Sequence, residues 1–171
     1  MIRPPHKAEV KPLTPRDEER EVMDENRGLE RFLEAQVGDY DDALSEISAG
    51  KKQSHWIWYV FPQLKGLGMS WTSEYYGITD LAEAKAYLAH PVLGKRLREI
   101  TRALLAHRLK PARDILGYPD DLKVCSCMTL FDLIEQDGLF AEVLDVFYGG
   151  KRDEKTLGLM KGATDIGDPM V

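Results

Sequence analysis

The chain has 171 residues, 43% of them hydrophobic and 30% charged, with a formal net charge of −6. That is enough chain for one globular domain with a sizeable core, and it excludes a disordered or collagen-like polymer. No apolar run reaches the roughly 18 residues of a membrane span, the first residues lack a signal-peptide core, and an acidic balance lacks the concentrated positive surface of a general nucleic-acid binder. The expectation is a cytoplasmic single-domain protein with no membrane and no general nucleic-acid binding, and composition alone does not say what it does. The same patterns leave the oligomeric state open.

Residues 1–27 hold four of the nine prolines (Pro4, Pro5, Pro12, Pro15) and the charged run from Arg16 to Glu21. Sparse apolar residues there predict a flexible N-terminal tail, ahead of a helical domain over 28–161 and a loose C-terminal tail over 162–171. Within the domain, Leu29, Phe32, Leu33 and Gln36 fit one short helix. Asp39 has the chemistry of a helix cap, and Tyr40, Leu44 and Ile47 then repeat at helical spacing until Gly50. Ser54 is placed to cap a short helix that Pro62 follows. Asp80 and Glu83 have capping-box spacing ahead of strong helix formers ending at Ala89. Pro91 suits the first position of the next helix. Its core stripe is Leu93, Leu97, Ile100 and Leu104, and Lys95, Arg96, Arg98 and Arg102 around it fit a solvated face.

Pro111 and Gly117 bracket a short helix. Pro119 opens another that runs to about Gln136, with Leu122, Ser126, Thr129, Leu130 and Leu133 at the helical period. Leu139, Val143, Val146 and Phe147 repeat before Gly149-Gly150, and Asp153 to Met160 forms the last helix. No segment alternates as a strand does. The fold class is all-α: a single compact multi-helix domain of about eight helices.

Chemistry-bearing residues are few. Cys125 and Cys127 are too few for a closed zinc site and lack C-x-x-C spacing; on a helix they point about 200° apart. Two such thiols fit a reducing compartment. No histidine pair has metal-binding spacing and no G-x-S-x-G elbow is present, so neither a metal nor a cofactor is expected. His90, just before Pro91, fits a helix cap, and His107 sits among Arg102, Arg108 and Lys110 on an exposed face.

One stretch departs from the helical pattern. Ser54 to Trp71 contains all three tryptophans, Trp56, Trp58 and Trp71, together with Tyr59 and Phe61. In one reading these rings are core. In the other, Trp56, Trp58 and Phe61 line a pocket for a planar ring while His55, Gln63 or Ser70 supplies hydrogen bonds. His55 fits either a general base, with an ordinary pKa of about 6.5, or a residue bonded at a helix start. The Lys65-Gly66-Leu67-Gly68 loop allows close backbone approach to a ligand, but it is neither G-x-G-x-x-G nor a Walker loop.

The strings SHWIWYVFPQLKGLG, EAKAYLAHPVLGKRL, DDLKVCSCMTLF and FYGGKRDEKTL resemble the bacterial family called domain of unknown function 1810, over about Leu29 to Leu159. That likeness implies a compact helical domain and no particular activity. The calpastatin label carried by some members does not fit, because a true calpastatin is disordered. A second likeness joins FPQL, then Gly68-Met69-Ser70-Trp71-Thr72-Ser73-Glu74-Tyr75-Tyr76, and later Thr156 to Met160, to the NADAR family, named for NAD and ADP-ribose. Tyr75 stands where that family has histidine, and its D-x-x-W-G string is missing here.

The NADAR resemblance implies a nucleotide- or ADP-ribose-related ligand and hydrolysis of N-glycosidic bonds. Glu74 would then balance charge on an oxocarbenium-like sugar, and Lys123 would donate to a phosphate or leaving group. Trp56, Trp58 and Phe61 would stack on the base, with Gln63, Ser70 and Ser126 orienting it. The alternative is a non-catalytic helical module that binds a protein or metabolite. It predicts Glu74 and Lys123 apart and exposed, whereas the enzyme reading predicts a cleft joining 54–71 to the helix near Lys123.

Overall fold

The computed structural model describes residues 28–166, with side chains to 161. The tail expected over 1–27 lies outside the described residues, as does the end of the chain after Ile166. Ten helices follow one another among the described residues: α1 (28–36), α2 (Asp39–Ser48), α3 (Ile57–Val60), α4 (Trp71–Tyr75), α5 (Leu81–Ala89), α6 (Leu93–Leu105), α7 (Ala112–Leu116), α8 (Asp120–Asp132), α9 (Leu139–Tyr148) and α10 (Glu154–Ile166). None is long and apolar enough to cross a membrane. The all-α class is as the patterning implies. The last helix runs six residues beyond the Met160 that patterning assigns it, and α8 stops four residues short of Gln136.

Helix α8 is the axis of the domain and packs against α3, α5, α7, α9 and α10. It is therefore buried almost all round, from Val124 through Asp132. Such a helix has no polar face, so its small polar side chains bond back to the preceding turn: Ser126 Oγ lies 3.2 Å from Leu122 O and Thr129 Oγ1 donates to Cys125 O at 2.8 Å. Leu122, expected in the core stripe, is instead half exposed. On α6 the expected stripe holds, with Leu93, Leu97, Ile100 and Leu104 all fully buried. Of its basic residues, Lys95 and Arg102 are exposed as expected, while Arg96 and Arg98 are half-buried. Arg96 Nη1 donates to Gln36 Oε1 at 3.1 Å, and Arg98 pairs with Glu135.

Local start signals divide cleanly. Asp80 caps α5 by accepting from Glu83 N at 2.9 Å, and His90 Nδ1 accepts from Val92 N and Leu93 N at 3.1 and 3.2 Å, capping α6. Asp39 and Ser54 do not cap. Asp39 Oδ2 instead accepts from the Tyr59 hydroxyl at 2.5 Å, and Ser54 Oγ donates to Glu46 at 2.6 Å. His107 is half-buried rather than exposed, with Nε2 3.0 Å from Ser48 O.

The aromatic segment is fixed from both ends. Glu46 on α2 accepts from Gln53 N, Ser54 N, Ser54 Oγ and Trp56 Nε1, pinning the loop before α3. After α3, an isolated parallel bridge joins Leu64 to Ile78, through Ile78 N to Gln63 O and Lys65 N to Ile78 O, both 2.8 Å. Gly77 makes that approach possible, since a Cβ there would sit 2.7 Å from Lys65 Cα. The bridge holds Gln63 at a fixed depth beside α8.

Candidate functional site

An open cleft of about 330 Å³ lies where that bridge meets the first turns of α8 and α10. Its walls are Gln63 and Leu67 from the loop, Pro119, Leu122, Lys123, Cys125 and Ser126 at α8, and Asp153 and Lys155 at α10. The size and the mixture of apolar wall with a few convergent polar groups are those of a small-molecule site. Gln63 is only 6% exposed, and its Nε2 has no hydrogen-bond partner. Buried polar groups are nearly always paired, so this orphaned amide, which has almost no accessible surface of its own, is an unsatisfied donor in a residue that lines the cleft. Gln36 shows the contrast: equally buried, it donates to Tyr59 O and the Tyr87 hydroxyl and accepts from Arg96.

Lys123 reaches the cleft from a prepared position. Its Nζ lies 4.2 Å above the centre of the Trp58 ring and 3.1 Å from Asp120 Oδ1. Asp120 also pairs with Lys52 at 2.8 Å, and Lys52 Nζ in turn lies 4.8 Å over Trp56. The spacing of Asp120 and Lys123, one turn apart on a helix, is readable in the sequence, but nothing in it shows Lys52 joining them. Across the cleft, Asp153 caps α10. Its Oδ2 accepts from Thr156 N at 3.1 Å and Thr156 Oγ1 at 2.5 Å, and lies 3.0 Å from Ser126 Oγ. The Cys125 thiol is pushed up to about 11 by burial, with Asp153 adding to it. It therefore stays protonated at neutral pH and is no nucleophile.

Of the residues singled out from the sequence, Gln63, Lys123 and Ser126 meet in this cleft, with Trp58 directly behind Lys123. The others lie elsewhere. Trp56 and Phe61 are fully buried in the core, their ring centres 6.1 Å apart. The His55 side chain is exposed, and its carbonyl lies 3.2 Å from the Tyr59 hydroxyl. Ser70 caps α4 by accepting from Ser73 N at 3.1 Å. Glu74 is exposed on α4 and is not part of the cleft wall, so the structure does not bring it together with Lys123 there. Beside it Trp71 and Tyr75 stack at 4.8 Å and remain 72% and 44% exposed. The sequence reading missed Leu67, Pro119, Leu122, Cys125, Asp153 and Lys155 as wall residues. Only Asp153 carried a signal, an aspartate three residues ahead of Thr156 at a helix start.

The fold and the cleft define a single-domain helical protein with a ligand-sized cleft built on its central helix. The chain belongs to the family described as "Protein of unknown function (DUF1810)", whose model matches residues 26–160. Among solved structures it is similar to the conserved hypothetical protein Rv1873 from Mycobacterium tuberculosis, at 44% identity and a TM-score of 0.76. That match covers 78% of this chain and 96% of that one. No curated protein matches the chain.

Proposed function

We propose that the protein binds a nucleotide-like small molecule, of the ADP-ribose class, in the cleft between Gln63 and Lys123, and that it does so without cleaving it. The observation that carries this reading is the convergence of Gln63, Lys123 and Ser126 in one cleft, with the Gln63 amide left without a partner. Leu67, Pro119 and Leu122 offer an apolar wall to a planar ring, and the motif likeness of the Phe61–Tyr76 segment to NADAR proteins supports a ligand of this kind. Hydrolysis of an N-glycosidic bond calls for a carboxylate beside the anomeric carbon. Glu74 lies outside the cleft wall, and the wall's own carboxylate, Asp153, is committed to capping α10. A non-catalytic metabolite-binding module therefore accounts for more of the geometry than a glycosidase does.

The test is calorimetric titration of the full chain with ADP-ribose, alongside Gln63→Leu, Lys123→Met and Glu74→Gln. Saturable binding is expected, weakened about tenfold or more by either cleft variant and unchanged by Glu74→Gln. Product analysis of the same mixtures is expected to return intact ADP-ribose. Loss of binding on Glu74→Gln, with both cleft variants unaffected, would overturn the site. Release of a free base would overturn the non-catalytic reading.

A further inference from the structure

Helix α4 carries an aromatic surface that the described residues leave uncovered. Trp71 and Tyr75, one turn apart, stack with ring centres 4.8 Å apart and planes 9° apart, and are 72% and 44% exposed. Tyr75 meets Tyr76 edge-on at 4.8 Å, and Tyr76 meets Tyr59 at 5.1 Å. Four rings thus form a ridge running from solvent towards the core, with the fully exposed Met69 just before it in the chain. Open apolar surface of this kind marks a place where something docks.

The surroundings of the ridge are acidic. Glu74, three residues after Trp71 and so beside it on the helix surface, is exposed, and its side chain has no partner among the described residues. Burial raises the Tyr76 pKa, with Tyr75, Glu34 and Asp39 adding to it and Arg31 opposing. Arg31 itself is committed, donating to Gly28 O, Tyr75 O and Gly77 O and pairing with Glu83 at 3.1 Å.

Those contacts also place the start of the described chain. Gly28 O and Tyr75 O accept from one guanidinium, so the segment before Gly28 joins the domain next to α4. Residues 1–16 have chemistry complementary to the ridge. Arg3, Lys7, Lys11 and Arg16 stand against the single acid Glu9, a formal charge of +3 in a chain of −6. Pro12-Leu13-Thr14-Pro15 has P-x-x-P spacing, which puts both prolines on one side of a three-residue-per-turn helix and suits a row of aromatic rings. The stretch between, Asp17 to Arg27, has six carboxylates against two arginines, so the match of charge is confined to the first sixteen residues and this stretch is a spacer. The twelve residues from Arg16 to Gly28 span at most about 40 Å, and about 20 Å as a coil, ample for a five-residue helix roughly 7 Å long. A tether of this length keeps the segment at an effective concentration of about millimolar, at which a weak contact is populated.

We infer that Pro12-Leu13-Thr14-Pro15-Arg16 docks on the Trp71–Tyr75 ridge of its own chain, with the prolines against the rings and Arg16 paired with Glu74. Neither ring nor Glu74 belongs to the cleft wall, so this docking stands apart from ligand binding there.

The experiment is acrylamide quenching of tryptophan fluorescence in the full chain. Trp56 is buried and Trp58 half-buried, and subtracting the signal of Trp71→Phe isolates Trp71. Quenching of Trp71 is expected to rise about threefold in a Pro12→Ala, Pro15→Ala double variant, as the tethered contact is lost. Arg16→Glu should raise it too, and adding Glu74→Arg to Arg16→Glu should restore the protection. Equal quenching in the parent chain and all of these variants overturns the docking. Protection that disappears on dilution, together with a dimer in sedimentation, overturns docking within one chain and puts a second copy on the ridge. A parent Trp71 shielded only when a separate peptide of residues 10–18 is added overturns it as well, since the tethered segment would then not reach its site.

Discussion

Glu46 shows how a single carboxylate secures the aromatic segment. Burial opposes its charge, yet hydrogen bonds from the Ser54 hydroxyl, the Gln53 and Ser54 amides and the Trp56 indole outweigh that and lower its pKa from 4.5 to about 2. A carboxylate whose folded pKa is depressed contributes stability that is present above the unfolded value and lost as pH falls through the folded one. The contribution of Glu46 is thus complete above about pH 4.5 and gone below about pH 2. Glu46→Gln is expected to cost about 1–3 kcal/mol at pH 7. Thermal unfolding from pH 7 down to pH 2 checks this: the gap between the two proteins should close across that acid window. A gap independent of pH would show that the Glu46 charge is not what holds the loop. Ser54, read from the sequence as a helix cap, and Trp56, read there as facing a ligand or the core, spend their polar groups on this carboxylate.

At the scale of elements, the crossing of α5 and α6 depends on Gly94. A Cβ there would fall 2.0 Å from the Leu88 carbonyl oxygen, a backbone atom that cannot step aside. Gly94→Ala is expected to destabilise by about 1–3 kcal/mol, measured by urea unfolding, although alanine is the better helix former. Stability equal to or above the parent chain would mean that the two helices do not meet so closely. The helices that could be read from the sequence are those whose signals are local. Asp80 and His90 cap with their own side chains, the α6 stripe follows its period, and Gly149 ends α9 at φ 62°. The misreadings occur where a tertiary partner outbids the local one. Asp39 is claimed by Tyr59, and α8 keeps Ser126, Thr129 and Leu130 of its expected stripe buried, but the neighbours around it also bury Asp132 while leaving Leu122 half exposed.

For the whole molecule, the cleft is assembled from three separated stretches, and its legibility follows from that. Gln63 stood out because it lies in the one non-helical, aromatic-rich segment, whereas Lys123 and Ser126 entered only as roles that the expected NADAR resemblance would imply. Asp153 and Lys155 come from a helix some thirty residues past Lys123, and only the packing of α10 on α8 brings them to the same wall. The tryptophans were ambiguous for a physical reason, since a large ring serves equally as core or as pocket wall. The structure divides them: Trp56 is core, Trp58 lies under Lys123, and Trp71 is exposed.

The central claim is that this cleft is where a ligand sits, and a crystal structure of the protein soaked with ADP-ribose tests it most directly. The account predicts density between the loop and the starts of α8 and α10, with a ligand acceptor within hydrogen-bond distance of Gln63 Nε2 and another at Lys123 Nζ. Density instead on the exposed Trp71–Tyr75 stack beside Glu74, with the cleft holding only solvent, would contradict it.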